Sequence, residues 1–155
     1  EFMSSQVISN MLSASVQAVL VFLMAYAVGY RPKGDATTLA VAFILVLIFS
    51  LCNVGFGLIT ATLAKSSGAA TGIAFIFIMP QMFLGTFVGA SLSSSAQTIS
   101  KFVPSYYVTD ALTSLFLRGA PLQSSTVLLD VAVTISFSIA VLMIGVTLFK
   151  KYGKA

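Results

Sequence analysis

Four apolar stretches, each long enough to cross a bilayer, divide this chain. The polar positions between and within them set its organisation. The first stretch, 7–30, makes about 36 Å of helix at 1.5 Å per residue, enough for a hydrocarbon core of about 30 Å. The others are 39–64, 69–88 and 127–149. Residues 65–68 form a very short connection, so the second and third stretches are expected to be an antiparallel pair. The segment 96–118 behaves differently. Its apolar positions, from Ile99, Phe102 and Val103 through Tyr107, Val108, Ala111, Leu112, Leu115 and Phe116, repeat near 3.6, yet Pro104 breaks it. It is too polar to span and too apolar to be a loop. The pattern predicts an all-α integral membrane protein: one domain over 1–155, with four spans and a short re-entrant or interfacial helix pair before the last. Ser105 is the expected cap of the second short helix.

Polar residues inside the spans are few and placed on faces. Gln6, Ser9, Asn10, Ser13 and Gln17 share one face of the first span. They either bond neighbouring helices or border a hydrated path; a lipid-facing stripe of that polarity is disfavoured. Tyr26 and Tyr30 mark its far interface. In the second span, Ser50, Asn53, Gly57, Thr60 and Ala64 share a small or polar face, expected to be a packing seam. Cys52 reads as a small buried hydrophobe. In the third span, Pro80 removes a backbone donor and predicts a kink, with Gln81, Gly85 and Gly89 following at four-residue spacing. Asp130 is expected in the first turn of the last span, at the positive end of its helix dipole. Thr134, Ser136 and Ser138 are expected to bond their own backbone. Asp110 and Arg118 lie about 12 Å apart along a helix and are expected not to pair directly.

Composition sharpens this picture. Of 155 residues, 58% are hydrophobic and 8% charged, against roughly 45–50% and about 25% in soluble domains. Too few charges remain to coat a soluble surface. The net charge of +4 comes from scattered residues and makes no nucleic-acid footprint. Lys150, Lys151 and Lys154 cluster after the last span. That cluster tilts the orientation towards cytoplasmic termini in a cell membrane. With no histidine and one cysteine, neither a disulfide framework, a Cys/His metal site nor an imidazole-based triad can form. No phosphate-binding Gly-x-x-x-x-Gly-Lys-Ser/Thr loop is present. The four carboxylates, Glu1, Asp35, Asp110 and Asp130, are unpaired by spacing, and none is expected deep in a span. That argues against a proton relay. The chain reads as a passageway or a scaffold and not as an enzyme.

The order of elements resembles the membrane (permease) subunits of type-2 ABC exporters. The run 54–65, with Gly55, Gly57 and Lys65, is similar to their Gly-rich helix and basic turn. Met79–Pro80–Gln81–Met82–Phe83–Leu84–Gly85 is similar to their kinked helix, with Leu84 where the family has Ser. Pro104–Ser105–Tyr106–Tyr107, followed by Arg118–Gly119, is similar to their half-helices, and Phe149–Lys150–Lys151 to their basic tail. The resemblance implies that these four spans are the third to sixth of a six-span permease, with Glu1 at the end of a coupling helix. It implies a separate ATP-binding subunit that carries ATP and magnesium, no cofactor in this chain, and a second permease copy. Glu1 and Gln6 would then couple to the ATPase. Gln17, Asn53, Pro80, Gln81 and Gly85 would belong to the pathway and its gate. Pro104, Tyr107, Asp110 and Arg118 would build the outer re-entrant element. The substrate implied is amphipathic or lipophilic, drug-like or lipid, as in multidrug efflux. The alternatives are a non-transporting scaffold or a secondary transporter.

Overall fold

The computed structural model describes residues 2–31, 35–86 and 98–152, leaving aside the side chains of residues 2, 3, 4, 6 and 86. Helices account for nearly all of it, with no strand among the described residues. They are α1 (Phe2–Ala27), α2 (Ala36–Leu63), α3 (Ser67–Thr86), α4 (Pro104–Thr113) and α5 (Ser125–Tyr152), with a π-helical turn at Ser114–Arg118 between the last two. Among the described residues, four helices are long and apolar enough to cross a membrane: Val7–Ala27, Ala36–Leu63, Ser67–Gly85 and Ser125–Tyr152. The expected four-span architecture is therefore observed.

Local chemistry sets the helix ends. α1 stops three residues before the expected Tyr30 because Gly29 takes a left-handed conformation (φ 93°). The Tyr30 N–H then donates to the Ala25 carbonyl and the Gly29 N–H to that of Tyr26, which closes the helix and satisfies its last carbonyls. α3 opens with the Ser66 hydroxyl accepting from the Ala69 N–H at 3.2 Å, so the α2–α3 connection is as short as expected. α4 begins with Pro104 in its first turn and Val103 as its N-cap, a position where the missing proline donor costs nothing. Ser105 is thus not the cap. Its hydroxyl is used on another helix.

α2 and α5 form the centre, and the other helices pack around them. α2 and α5 each bury a face in the bundle, whereas α1 and α3 are almost wholly exposed. The buried positions of α5 are Val127, Asp130, Thr134, Ser138, Val141 and Gly145, spaced three or four apart, as one face of a helix requires. α2 buries Ala42, Leu45, Cys52 and Leu58, and its Gly55 and Leu58 lie against α5. The tightest approach is between Gly55 and Gly145. A Cβ on Gly145 would lie 2.6 Å from the Gly55 carbonyl oxygen, and one on Gly55 would lie 2.8 Å from the backbone of Val141 and Leu142. In lipid, helices associate through such close packing.

Two expectations are corrected. The α2 seam does not run through Gly57, which has no neighbour within 4 Å of a Cβ, nor through Asn53, which is exposed. The contact with α5 is made instead at Gly55 and Leu58. Asp130 is the sixth residue of α5 rather than a first-turn acid. It is 3% exposed and lies inside a candidate span. The acid is thus buried against the bundle rather than set at the helix end.

Gly55→Ala is expected to weaken the folded protein by about 1–3 kcal/mol, because an extra methyl must displace backbone. Gly57→Ala should leave stability unchanged or slightly improved. Thermal or SDS titration of the solubilised protein checks both. Equal effects of the two variants would contradict a Gly55–Gly145 seam.

Candidate functional site

α4 is where the bundle is fastened together. Its apolar positions Val108 and Ala111 join Leu45 of α2 in a buried cluster, with Phe49, Leu112 and Val131 around it. A short amphipathic helix gains most of its stability from such packing. Its N-terminal end meets α3. The Ser105 hydroxyl donates to the Gln81 carbonyl at 2.9 Å, and a Cβ on Gly85 would lie 2.3 Å from the Ser105 Oγ. Only a glycine allows that approach. Pro80, four residues beyond Ile76, leaves the Ile76 carbonyl without its helical donor. The Gln81 side chain turns back, its Nε2 donating to the Phe77 carbonyl at 3.3 Å. At the other end, the Tyr30 hydroxyl donates to the Phe116 carbonyl of the π turn at 3.1 Å. The Phe22 ring meets that of Phe116 edge-on at 5.6 Å. Gly119, left-handed at φ 65°, closes the turn by donating to the Ser114 carbonyl.

Three charges gather at this end. Arg118 Nη1 donates to Asp110 Oδ1 and to Ser114 Oγ, each at 3.2 Å. The expectation that Asp110 and Arg118 do not pair is therefore wrong. An arginine side chain is long and points back along its helix, so eight residues of separation is within its reach. Asp130 of α5 lies within the electrostatic range of both, and its Oδ2 is buried with no hydrogen-bond partner among the described residues. The Tyr106 phenol is raised above its usual value, first by burial and then by the Asp110 and Asp130 carboxylates, with Arg118 opposing. The Tyr107 hydroxyl donates to the Lys101 carbonyl at 2.9 Å. Thr134 and Ser136 donate to the carbonyls of Asp130 and Ala132, as expected, but the buried Ser138 hydroxyl does not.

Two clefts flank α2. One, of about 620 Å³, lies between α2 and α3 and includes Asn53, Thr60, Gln81 and Ser105 among its walls. The other, of about 570 Å³, lies between α1, α2 and the end of α4, and includes Gln17, Tyr30, Ser50 and Asn53. Both are walled mainly by apolar side chains, with isolated amides and hydroxyls.

Residues 1–117 match the family described as "ABC-2 type transporter". The chain belongs to the ABC-2 type transporter family. No curated protein and no solved structure gives a match. As an ABC-2 membrane domain the chain is a transport permease component, of a kind generally not itself catalytic and normally working with an ATP-binding subunit. The matched segment stops within the π turn, so α5 lies beyond it.

The structure divides the residues singled out in the sequence of this ABC-2 permease into groups. Gln17 and Asn53 line one cleft together; Asn53 and Gln81 line the other. Gly85 and Ser105 mark the α3–α4 contact. Pro104 is buried at the start of α4. Asp110 and Arg118 pair, and Tyr107 turns to the preceding loop. Glu1 and Gly89 lie outside the described residues, as does the Gln6 side chain, although Gln6 belongs to α1. Asp130, Gly145 and Tyr30 were missed as structural centres. For Asp130 the signal was its spacing with Thr134 and Ser138, which puts all three on one face.

Gly85→Ala should destabilise the permease, because Ser105 must move. Ser105→Gly in that background should restore part of the loss, with a coupling of roughly 0.5–3 kcal/mol. A double-mutant cycle of thermal midpoints measures it, and strict additivity would contradict the contact.

Proposed function

We propose that this chain is the membrane permease of an ATP-driven exporter that moves an amphipathic or lipophilic molecule out of the cell. Family membership supports a transport role. The observation that carries the reading further is the pairing of Gln17 and Asn53 across one largely apolar cleft. Isolated amides in apolar walls suit cargo that is mostly greasy and sparsely polar. Drug-like molecules and lipids both fit.

The rest of the assembly follows from the same features. Ser9, Ser13 and Gln17 are exposed on one face of α1, which is costly against lipid. A second permease copy, or a hydrated path between copies, would cover that face. The Lys150 and Lys151 pair at the end of α5 supports cytoplasmic termini in the cell membrane. Glu1 and Gln6 then lie at the cytoplasmic end, facing an ATP-binding subunit that holds ATP and magnesium. Pro104, Tyr107, Asp110 and Arg118 belong to the outer face, where α4 acts as a roof over the exit. Pro80, Gln81 and Gly85 form the α3 segment that a gating movement bends.

Co-purification tests the reading. A separate ATPase with a phosphate-binding loop should be retained by the tagged permease, and its ATP hydrolysis should rise on reconstitution with it. A chain that retains no ATPase would instead support a scaffold. Gly85→Leu should abolish export of the cargo; normal assembly of that variant supports a gate, and failed assembly supports a purely structural contact.

A further inference from the structure

We propose that Arg118 is an exchangeable counter-ion. Its guanidinium leaves the half-exposed bridge with Asp110 for the buried carboxyl of Asp130, which gives this end of the bundle two latched positions. Neither cargo nor an ATPase enters the inference, so it stands apart from the permease reading. Asp130 is 3% exposed, and its Oδ2 is buried with no hydrogen-bond partner among the described residues. Asp110 and Arg118 act on it, and it acts on the Tyr106 phenol. Those three groups belong to α4 or its π turn. α1, α2 and α3 contain no Asp, Glu, Lys or Arg, so no other helix packed in the bundle offers a counter-ion. Two acids therefore share one guanidinium. A buried carboxylate left unpaired is costly, whereas an exposed bridge contributes little. What holds Arg118 outside is the cost of taking a guanidinium out of water. The two effects oppose each other on a single side chain.

Arg118 is placed for the exchange. It uses Nη1 for both of its bonds, to Asp110 Oδ1 and to Ser114 Oγ, which leaves Nη2 and Nε for a second acceptor. Ser114 is itself 3% exposed, so the guanidinium already reaches the buried side of the turn. The π turn supplies slack. It closes wider rings than an α turn, i→i+5 against i→i+4, as in the bond from the Gly119 N–H to the Ser114 carbonyl. Narrowing that ring turns Arg118 about the helix axis without unfolding α4. The Phe116 carbonyl of the same turn holds Tyr30 of α1, so a shift of Arg118 is felt where α1 is fastened.

Reaction of the full chain in phosphatidylcholine nanodiscs with phenylglyoxal, an arginine-selective dicarbonyl, tests this by mass spectrometry. Arg31, over the Tyr26 ring at 4.3 Å, serves as the internal reference. Arg118 should react in the wild type. In Asp110→Asn the guanidinium should withdraw to Asp130, and its rate relative to Arg31 should fall about tenfold, the worth of one charge-assisted hydrogen bond. Adding Asp130→Asn should restore the rate. Asp110→Ser gives the same reading should the Asn variant not assemble. A rate unchanged or raised in Asp110→Asn, as simple release of a surface bridge would give, overturns the inference. So does a carboxylic-acid C=O band in the infrared spectrum of Asp110→Asn that vanishes in the double variant, because a proton and not Arg118 would then satisfy Asp130.

Discussion

The bundle depends on backbone meeting backbone at the crossing of α2 and α5. In water, burial of apolar surface would hold two such helices together. In lipid that drive is absent, because the surrounding tails are as apolar as the side chains. Close packing must supply the attraction, and dispersion falls off within a fraction of an ångström of gap. Gly55 and Gly145 remove the side chains that would hold the axes apart. Leu58 then lies against Gly145, and Ala42, Leu45 and Cys52 are buried further along α2. The other helices can be less buried because this pair is fixed.

The same constraint governs the polar groups. Each freed carbonyl in a low-dielectric layer calls for a donor, and the structure supplies some of them from other helices. Tyr30 serves the π turn at Phe116, and Ser105 adds a donor to the Gln81 carbonyl within α3. These bonds join α4 to α1 and to α3. They close the end of the bundle where Asp110, Arg118 and Asp130 meet. The Arg118–Asp110 bridge is half-exposed at the arginine, so its own contribution to stability is small. Its larger role is to keep a positive charge beside two carboxylates, one of them buried.

Much of the architecture was legible because length and hydropathy alone decide what can cross a membrane. The four spans, the tight α2–α3 turn and the break at Pro104 followed from those properties. The faces were harder. Gly57 and Gly55 are two residues apart and chemically identical, yet one faces a cleft and the other a helix. Composition within one helix cannot say which face its partner chooses. Asp130 misled for a related reason: its distance from the end of the helix depended on α5 starting at Ser125. The Asp110–Arg118 pair was dismissed on axial distance, which ignores the reach of an arginine. At the candidate site, Gln17, Asn53 and Gln81 could be picked out as polar exceptions. That Asn53 is common to both clefts depends on how three helices pack, which no local pattern carries.

The two hydrogen bonds that join α4 to its neighbours also set a dimension. One uses Ser105 and the other Phe116, so eleven residue steps, roughly 16 Å of helix, separate the point where α3 is fastened from the point where α1 is fastened. The spacing of α1 and α3 at that end is thus written into the residue count of α4 and its π turn, which together work as a ruler laid across the mouth of the bundle. Side-chain changes in α4 alter how firmly the ruler grips; only an insertion or a deletion alters what it measures.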